Sequence, residues 1–102
     1  MLILETKLKE PRIYVDFNEL IEDNLVLLSK TDFKQNSDGV PIKLKEGMKV
    51  KIYMDDQNES NEEDNLIAAG VVELNNFGGW TKAAKWCCRI DDKGINHESD
   101  LP

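Results

Sequence analysis

The chain has 102 residues, of which 40% are hydrophobic and 32% charged, and its formal net charge is −7. That is enough for one domain with its own apolar core, and too little for a core plus a deep cofactor cleft under a lid. The charge is uneven: residues 1–54 carry nine basic and nine acidic side chains, whereas residues 55–102 carry four and eleven, a bias that repels nucleic acid and favours basic partners.

No window approaches the roughly eighteen apolar residues of a membrane span, and the apolar start Met1, Leu2, Ile3, Leu4 meets Glu5 at once, too soon for a signal peptide. A cytoplasmic protein without membrane attachment is therefore expected. The only cysteines, Cys87 and Cys88, are adjacent. In a strand they point to opposite faces, which rules out a bridge between them and fits a reducing compartment.

In chain order, residues 1–11 read as a lead-in or a peripheral strand ending at Pro11. Residues 12–17 alternate, with Ile13, Val15 and Phe17 on one side, and form the first secure strand. Residues 18–24 offer about one helical turn, with Leu20 and Ile21 apolar and Asp16 or Asn18 as caps. Residues 25–29, Leu-Val-Leu-Leu-Ser, return as a strand, and residues 30–39 are a polar loop closed by Asn36, Ser37, Asp38 and Gly39.

Pro41 confines its segment to a strand start or an edge. Residues 42–45 and 48–51 flank Glu46 and Gly47, which supply the positive φ of a tight turn, so they read as a hairpin with apolar residues on one face and Lys43, Lys45, Lys49 and Lys51 on the other. The stretch 44–51, Leu-Lys-Glu-Gly-Met-Lys-Val-Lys, resembles hairpins of many small barrels, a likeness of eight residues that implies fold class alone.

Three strands are expected in the second half, at 48–54, 66–74 and 83–90. The first is half-buried, with Met48, Val50, Ile52 and Met54 inward. The second, Leu-Ile-Ala-Ala-Gly-Val-Val-Glu-Leu, is apolar on both faces and belongs in the middle of a curled or doubly covered sheet, with Gly70 as the place for a bend or bulge. The third turns Trp86, Cys88 and Ile90 inward and Lys85, Cys87, Arg89 and Asp91 outward. Between them lie an acidic loop at 55–65 and a loop at 75–80 that sets Phe77 and Trp80 beside Gly78 and Gly79. After the turn at 91–94, a brief last strand from Ile95 gives way to a flexible polar tail from about residue 97.

The expected fold is mainly β: a single small curled sheet, or a partly open SH3-like or OB-like barrel, of about five or six strands with at most one short helical turn. Chemistry is scarce. Residues 55–64 hold six acids, yet the position an EF-hand needs for glycine is Ser60, so a solvated loop is expected rather than a calcium site. Adjacent cysteines plus His97 provide neither zinc spacing nor a redox dithiol, Gly78-Gly79 lacks the Lys and Ser/Thr of a phosphate loop, and solvated acids have no means of raising a pKa for acid catalysis. A non-enzyme without cofactor or metal is expected.

The leading reading is a binding module for another protein, its partner unknown and favoured by charge to be basic, with Phe77 and Trp80 either as contact residues, because large aromatics concentrate binding energy, or folded back to plug one end of the barrel. The first alternative is single-stranded nucleic-acid or ribosome-associated binding through Lys43, Lys45, Lys49 and Lys51 with Tyr53 as stacking ring. Against it stands edge protection, for which outward lysines are equally suited. A second alternative, an immunity-type protein masking a basic toxin, rests on the acidic second half.

Overall fold

A nine-residue run that is apolar on both faces can satisfy itself only between two other strands, and that is where residues 66–74 lie. The computed structural model describes residues 11–57, 59–76, 78 and 84–100. Its strands are β1 (Ile13–Tyr14), β2 (Leu20–Glu22), β3 (Leu25–Ser29), β4 (Phe33–Gln35), β5 (Pro41–Lys43), β6 (Lys49–Met54), β7 (Leu66–Leu74), β8 (Trp86–Ile90) and β9 (Asn96–His97), with a 3₁₀ turn, Glu98–Asp100, after them. The main sheet runs β1-β6-β7-β8-β3-β2, with β9 on the start of β7, and β4 pairs with β5 as a separate two-stranded ribbon.

All pairs of the main sheet are antiparallel except β1 with β6, which run parallel with Ile13 opposite Ile52. This order forces curvature. β1 and β2 are the two edges, yet six Cα steps from Tyr14 to Leu20 reach about 21 Å at full stretch, less than the roughly 24 Å between the edges of a flat six-stranded sheet. The link is shorter still, because the Glu19 N–H donates back to the Asp16 carbonyl at 2.9 Å. The sheet rolls into a partly open barrel, and β4–β5 lies across the opening: Ile13 bridges Asn36, the Ser37 N–H donates to the Arg12 carbonyl, and the Trp86 Nε1–H donates to Asp32 Oδ1 at 3.0 Å.

The inner face collects Ile13, Val15 and Phe17 with Val26, Leu28, Leu44, Val50, Ile52, Ala68, Val72, Trp86, Cys88 and Ile90. Each large aliphatic or aromatic member contributes about 1.5–3 kcal/mol of transfer free energy. Gly70 is required by β8: a Cβ there would sit 2.2 Å from the Arg89 carbonyl oxygen and 2.7 Å from Cys88 Sγ. The register of β6 against β7 runs unbroken through Gly70, so the residue permits close approach of a neighbouring strand and carries no bulge.

Several expectations change. Residues 18–24 hold β2 and a tight return to β3 instead of a helical turn; a single turn cannot repay its own nucleation, whereas Leu20 gains a cross-strand partner in Val26. The polar loop at 30–39 contains β4. The 42–51 hairpin does not form: Gly47 has the expected positive φ of 88°, but β5 pairs back onto β4 and β6 pairs with β7. The long apolar β7 offers six partners where β5 offers three positions, one of them Pro41 without an N–H.

Cys87, expected outward, has 0% exposure. Its strand is central, and this small side chain lies between Leu27 of β3 and Glu73 of β7. A brief strand does follow the turn at 91–94, as β9, but residues 97–100, expected to lie in a flexible polar tail, are tied to the body by β9 and by an Arg12–Glu98 ion pair of 2.9 Å.

Candidate functional site

Antiparallel ladders alternate, so every second residue of β6 turns its backbone groups away from β7. The N–H of Val72 donates to the Met48 carbonyl and the Asp91 N–H donates to the Ala69 carbonyl, which together assign the even residues of β6 to β7 and leave 49, 51 and 53 facing the other way. The Tyr53 carbonyl is taken by the Val15 N–H at 2.9 Å. In the parallel register of Ile13 with Ile52, the donor for the Lys49 carbonyl would stand two residues before Ile13. That residue is Pro11, which has no N–H. Among the described residues, no backbone bond outside the β6–β7 ladder reaches Lys49.

A groove of about 660 Å³ lies along this stretch. Ile13, Ile42, Met48 and Val50 line it from the core side, while Ala69, Val71 and Asp91 line it from the outer face of the sheet. Lys49 and Lys51, both exposed, form its rim, and Pro11 and Asn36 stand at its far wall.

The predicted basic face is therefore divided. Lys49 and Lys51 share one side of β6 and one groove; Lys43 is exposed on β5, in the other sheet, and Lys45 is exposed in the turn before β6. Tyr53 is half-buried and packs edge-to-face on Tyr14, with centroids 5.6 Å apart and planes at 82°, so its ring is engaged within the protein. Phe77 and Trp80 lie outside the described residues. Sequence reasoning missed Pro11, Ile13, Ile42 and Met48 as parts of one surface; the missing N–H of Pro11 was the only signal, and it acts through a parallel pairing that periodicity cannot reveal.

A second groove, of about 790 Å³, runs along the seam between β1, β3 and β4 and exposes Tyr14 and Phe33 (44% and 56%). Lys34 crosses it, donating from Nζ to the Leu28 carbonyl at 2.9 Å, and burial lowers the pKa of this amine against the opposing pull of Glu19. That side chain links β4 to β3 across the seam. At the opposite end of the molecule the acidic loop is fastened: Gln57 bridges Glu63, Ser99 Oγ donates to Asp64 Oδ2 at 2.8 Å, and His97 Nε2 stands 2.9 Å from Asp56 Oδ2.

His97 is thus paired with a carboxylate. Burial pushes the thiols of Cys87 and Cys88 up to about 11 and about 12, which leaves little thiolate at neutral pH. Arg89 donates from Nε to Glu73 at 3.0 Å and from Nη1 to Glu22 at 2.7 Å, a clasp that raises its pKa further. Among the described residues no group of three His, Cys, Asp or Glu side chains is arranged to hold a metal ion, and no helix is long and apolar enough to cross a membrane. Comparison of the chain with protein-family models, with curated proteins and with solved structures found no match.

Proposed function

We propose that the protein is a non-enzymatic binding module that works by holding a segment of another protein. One observation carries this reading: the groove beside residues 48–51 of β6, where the apolar side chains of Ile13, Ile42, Met48 and Val50 meet exposed lysines. Apolar side chains with a few placed polar groups are what a peptide needs. The nucleic-acid alternative has less support. Lys43 and Lys45 lie apart from Lys49 and Lys51, Tyr53 packs on Tyr14, and the net charge of −7 repels polyphosphate.

Selection of a random-peptide display library on the immobilised protein tests the reading. The expected result is enrichment that disappears when Met48→Asp places a charge in the groove, with the variant's fold verified by circular dichroism. Retardation of single-stranded RNA or DNA at low salt, without peptide enrichment, would replace it with the nucleic-acid reading.

A further inference from the structure

We infer that the outward face of the β4–β5 ribbon is a second docking surface, and that its partner is a protein segment with an apolar anchor and acidic residues to one side of it. The argument starts from a side chain that the core does not use. Phe33 is 56% exposed, more than any other large hydrophobic residue among those described, and Val40, next to β5, is 50% exposed. The inward residues of the same ribbon, Ile42 and Leu44, pack on the core. A ring left largely in water adds little to folding, and aromatic anchors of this kind concentrate the energy of protein contacts.

Phe33 separates two environments. On one side lies the seam groove of about 790 Å³, where Tyr14, Leu27 and Leu28 stand with it. On the other lies β5, in which Lys43 is the direct cross-strand partner of Phe33 and so shares its face. Leu44 is 2% exposed and its N–H donates to the Asp32 carbonyl at 2.7 Å, so alternation turns Lys43 and Lys45, both exposed, outward together. Asp32, whose carboxyl feels Lys43, is engaged by Lys85 and by the Trp86 indole. The lysine pair therefore favours an acid. The seam does not, because Asp16 and Glu19 line it along with Lys30 and Lys34. This fixes the polarity of the partner: an uncharged apolar side chain toward Tyr14 and Phe33, carboxylates over β5. A nucleic-acid strand, charged at every phosphate, meets the field of a molecule of net charge −7, whereas two carboxylates placed on two lysines meet chiefly those lysines, since charges beyond about 8 Å are largely screened at physiological salt.

None of Tyr14, Phe33, Lys43 and Lys45 lines the groove beside residues 48–51, so the two surfaces can be tested apart. The test uses the full-length protein labelled with ¹⁵N and the end-capped hexapeptide Leu-Leu-Ser-Glu-Ser-Glu, its carboxylates two residues apart like the lysines, with Leu-Leu-Ser-Lys-Ser-Lys as control. The expected result is saturable shifts at the amides of Phe33, Lys43 and Lys45 with the glutamate peptide alone. Binding should fall roughly tenfold or more for Phe33→Ser and for the double variant Lys43→Glu, Lys45→Glu, and the double variant should now prefer the lysine peptide. Met48→Asp should leave this binding unchanged, and circular dichroism verifies the fold of each variant. Equal binding of both peptides by the wild type overturns the inference, as do failure of the glutamate peptide to bind and shifts confined to residues 48–51. Retardation of single-stranded DNA that the lysine double variant abolishes, without peptide binding, overturns it too and assigns the face to nucleic acid. Because Met48→Asp removes library peptides from the groove and spares the ribbon, failure of either reading leaves the other standing.

Discussion

The two flanks of β6 differ more than any two neighbouring surfaces of the molecule. Toward β7 six consecutive residues are paired, from Lys49 with Val71 to Met54 with Leu66; toward β1, among the described residues, only Ile52 and Tyr53 have register partners. The strand is the same on both sides, and its alternating apolar residues serve both equally. The neighbours differ: one is a nine-residue strand that is apolar but for Gly70 and Glu73, the other is two residues with a proline two positions before them. Completeness of pairing is thus a property of the partner sequence, and a strand read alone says little about where its edge is open.

The strongest way to break this contrast is to attack the closed flank at its centre. Val72 has no exposure and lies within the core cluster, so Val72→Asp would strand a charge among apolar neighbours and cost several kcal/mol, comparable with the roughly 5–15 kcal/mol of a whole domain. Urea unfolding checks this, and a midpoint equal to wild type would mean that β7 is not central. A paired proline scan compares the flanks directly. Val50→Pro deletes an N–H that belongs to the β6–β7 ladder and should cost about 3 kcal/mol or more, whereas Lys49→Pro deletes one that faces the groove and should cost about 1 kcal/mol or less. Equal losses for the two would show that the Lys49 edge is not open.

Gly70→Ala sharpens the picture of the closed flank. The added methyl meets backbone at 2.2 Å, and overpacking of this kind costs about 1–3 kcal/mol. Thermal unfolding reports it, and a gain in stability would refute the close approach of β8.

The smallest effect concerns His97 and Asp56, which fasten β9 to the base of the acidic loop. Its hydrogen bond with Asp56 raises the His97 pKa above 6.5, with Asp64 and Asp100 adding to the effect, and the same bond lowers that of Asp56 below 3.8. A histidine with a raised folded value adds stability below about pH 6.5 that is lost as pH climbs through that raised value, and the lowered Asp56 adds stability above about pH 3.8 that is lost as pH falls through its folded value. The attachment is therefore firmest between these limits. Exchange of the β9 amides should quicken on raising the pH from 6 to 8, beyond the intrinsic rate change, and His97→Gln should remove that dependence.

What the sequence made legible was the part governed by local pattern. The bounds of β3 and β7 match residues 25–29 and 66–74, because an unbroken apolar run specifies a strand wherever it ends up. Gly47 takes the positive φ its turn demands. Hidden were the features that depend on residues far apart. β4 is three residues in a polar stretch, held by β5 and by Asp32, which accepts from Trp86 and lies 2.6 Å from Lys85. β2 exists because β3 is beside it. The burial of Cys87 comes from having a strand on either side, which alternation along β8 does not encode.

The strand order also constrains when the molecule can fold. Ile13 waits for Ile52, Leu25 for Arg89, and Arg12 for Glu98, so the contacts that roll the sheet join the two ends of the chain. Loop closure over such separations comes late, and domains dominated by distant pairings fold in about milliseconds to seconds, slower than helical bundles of the same size. Before β8 docks, a paired β6 and β7 would leave the second edge of β7 open to whatever strand arrives first. Pairing of residues 86–90 with β7 is the step that ends this exposure.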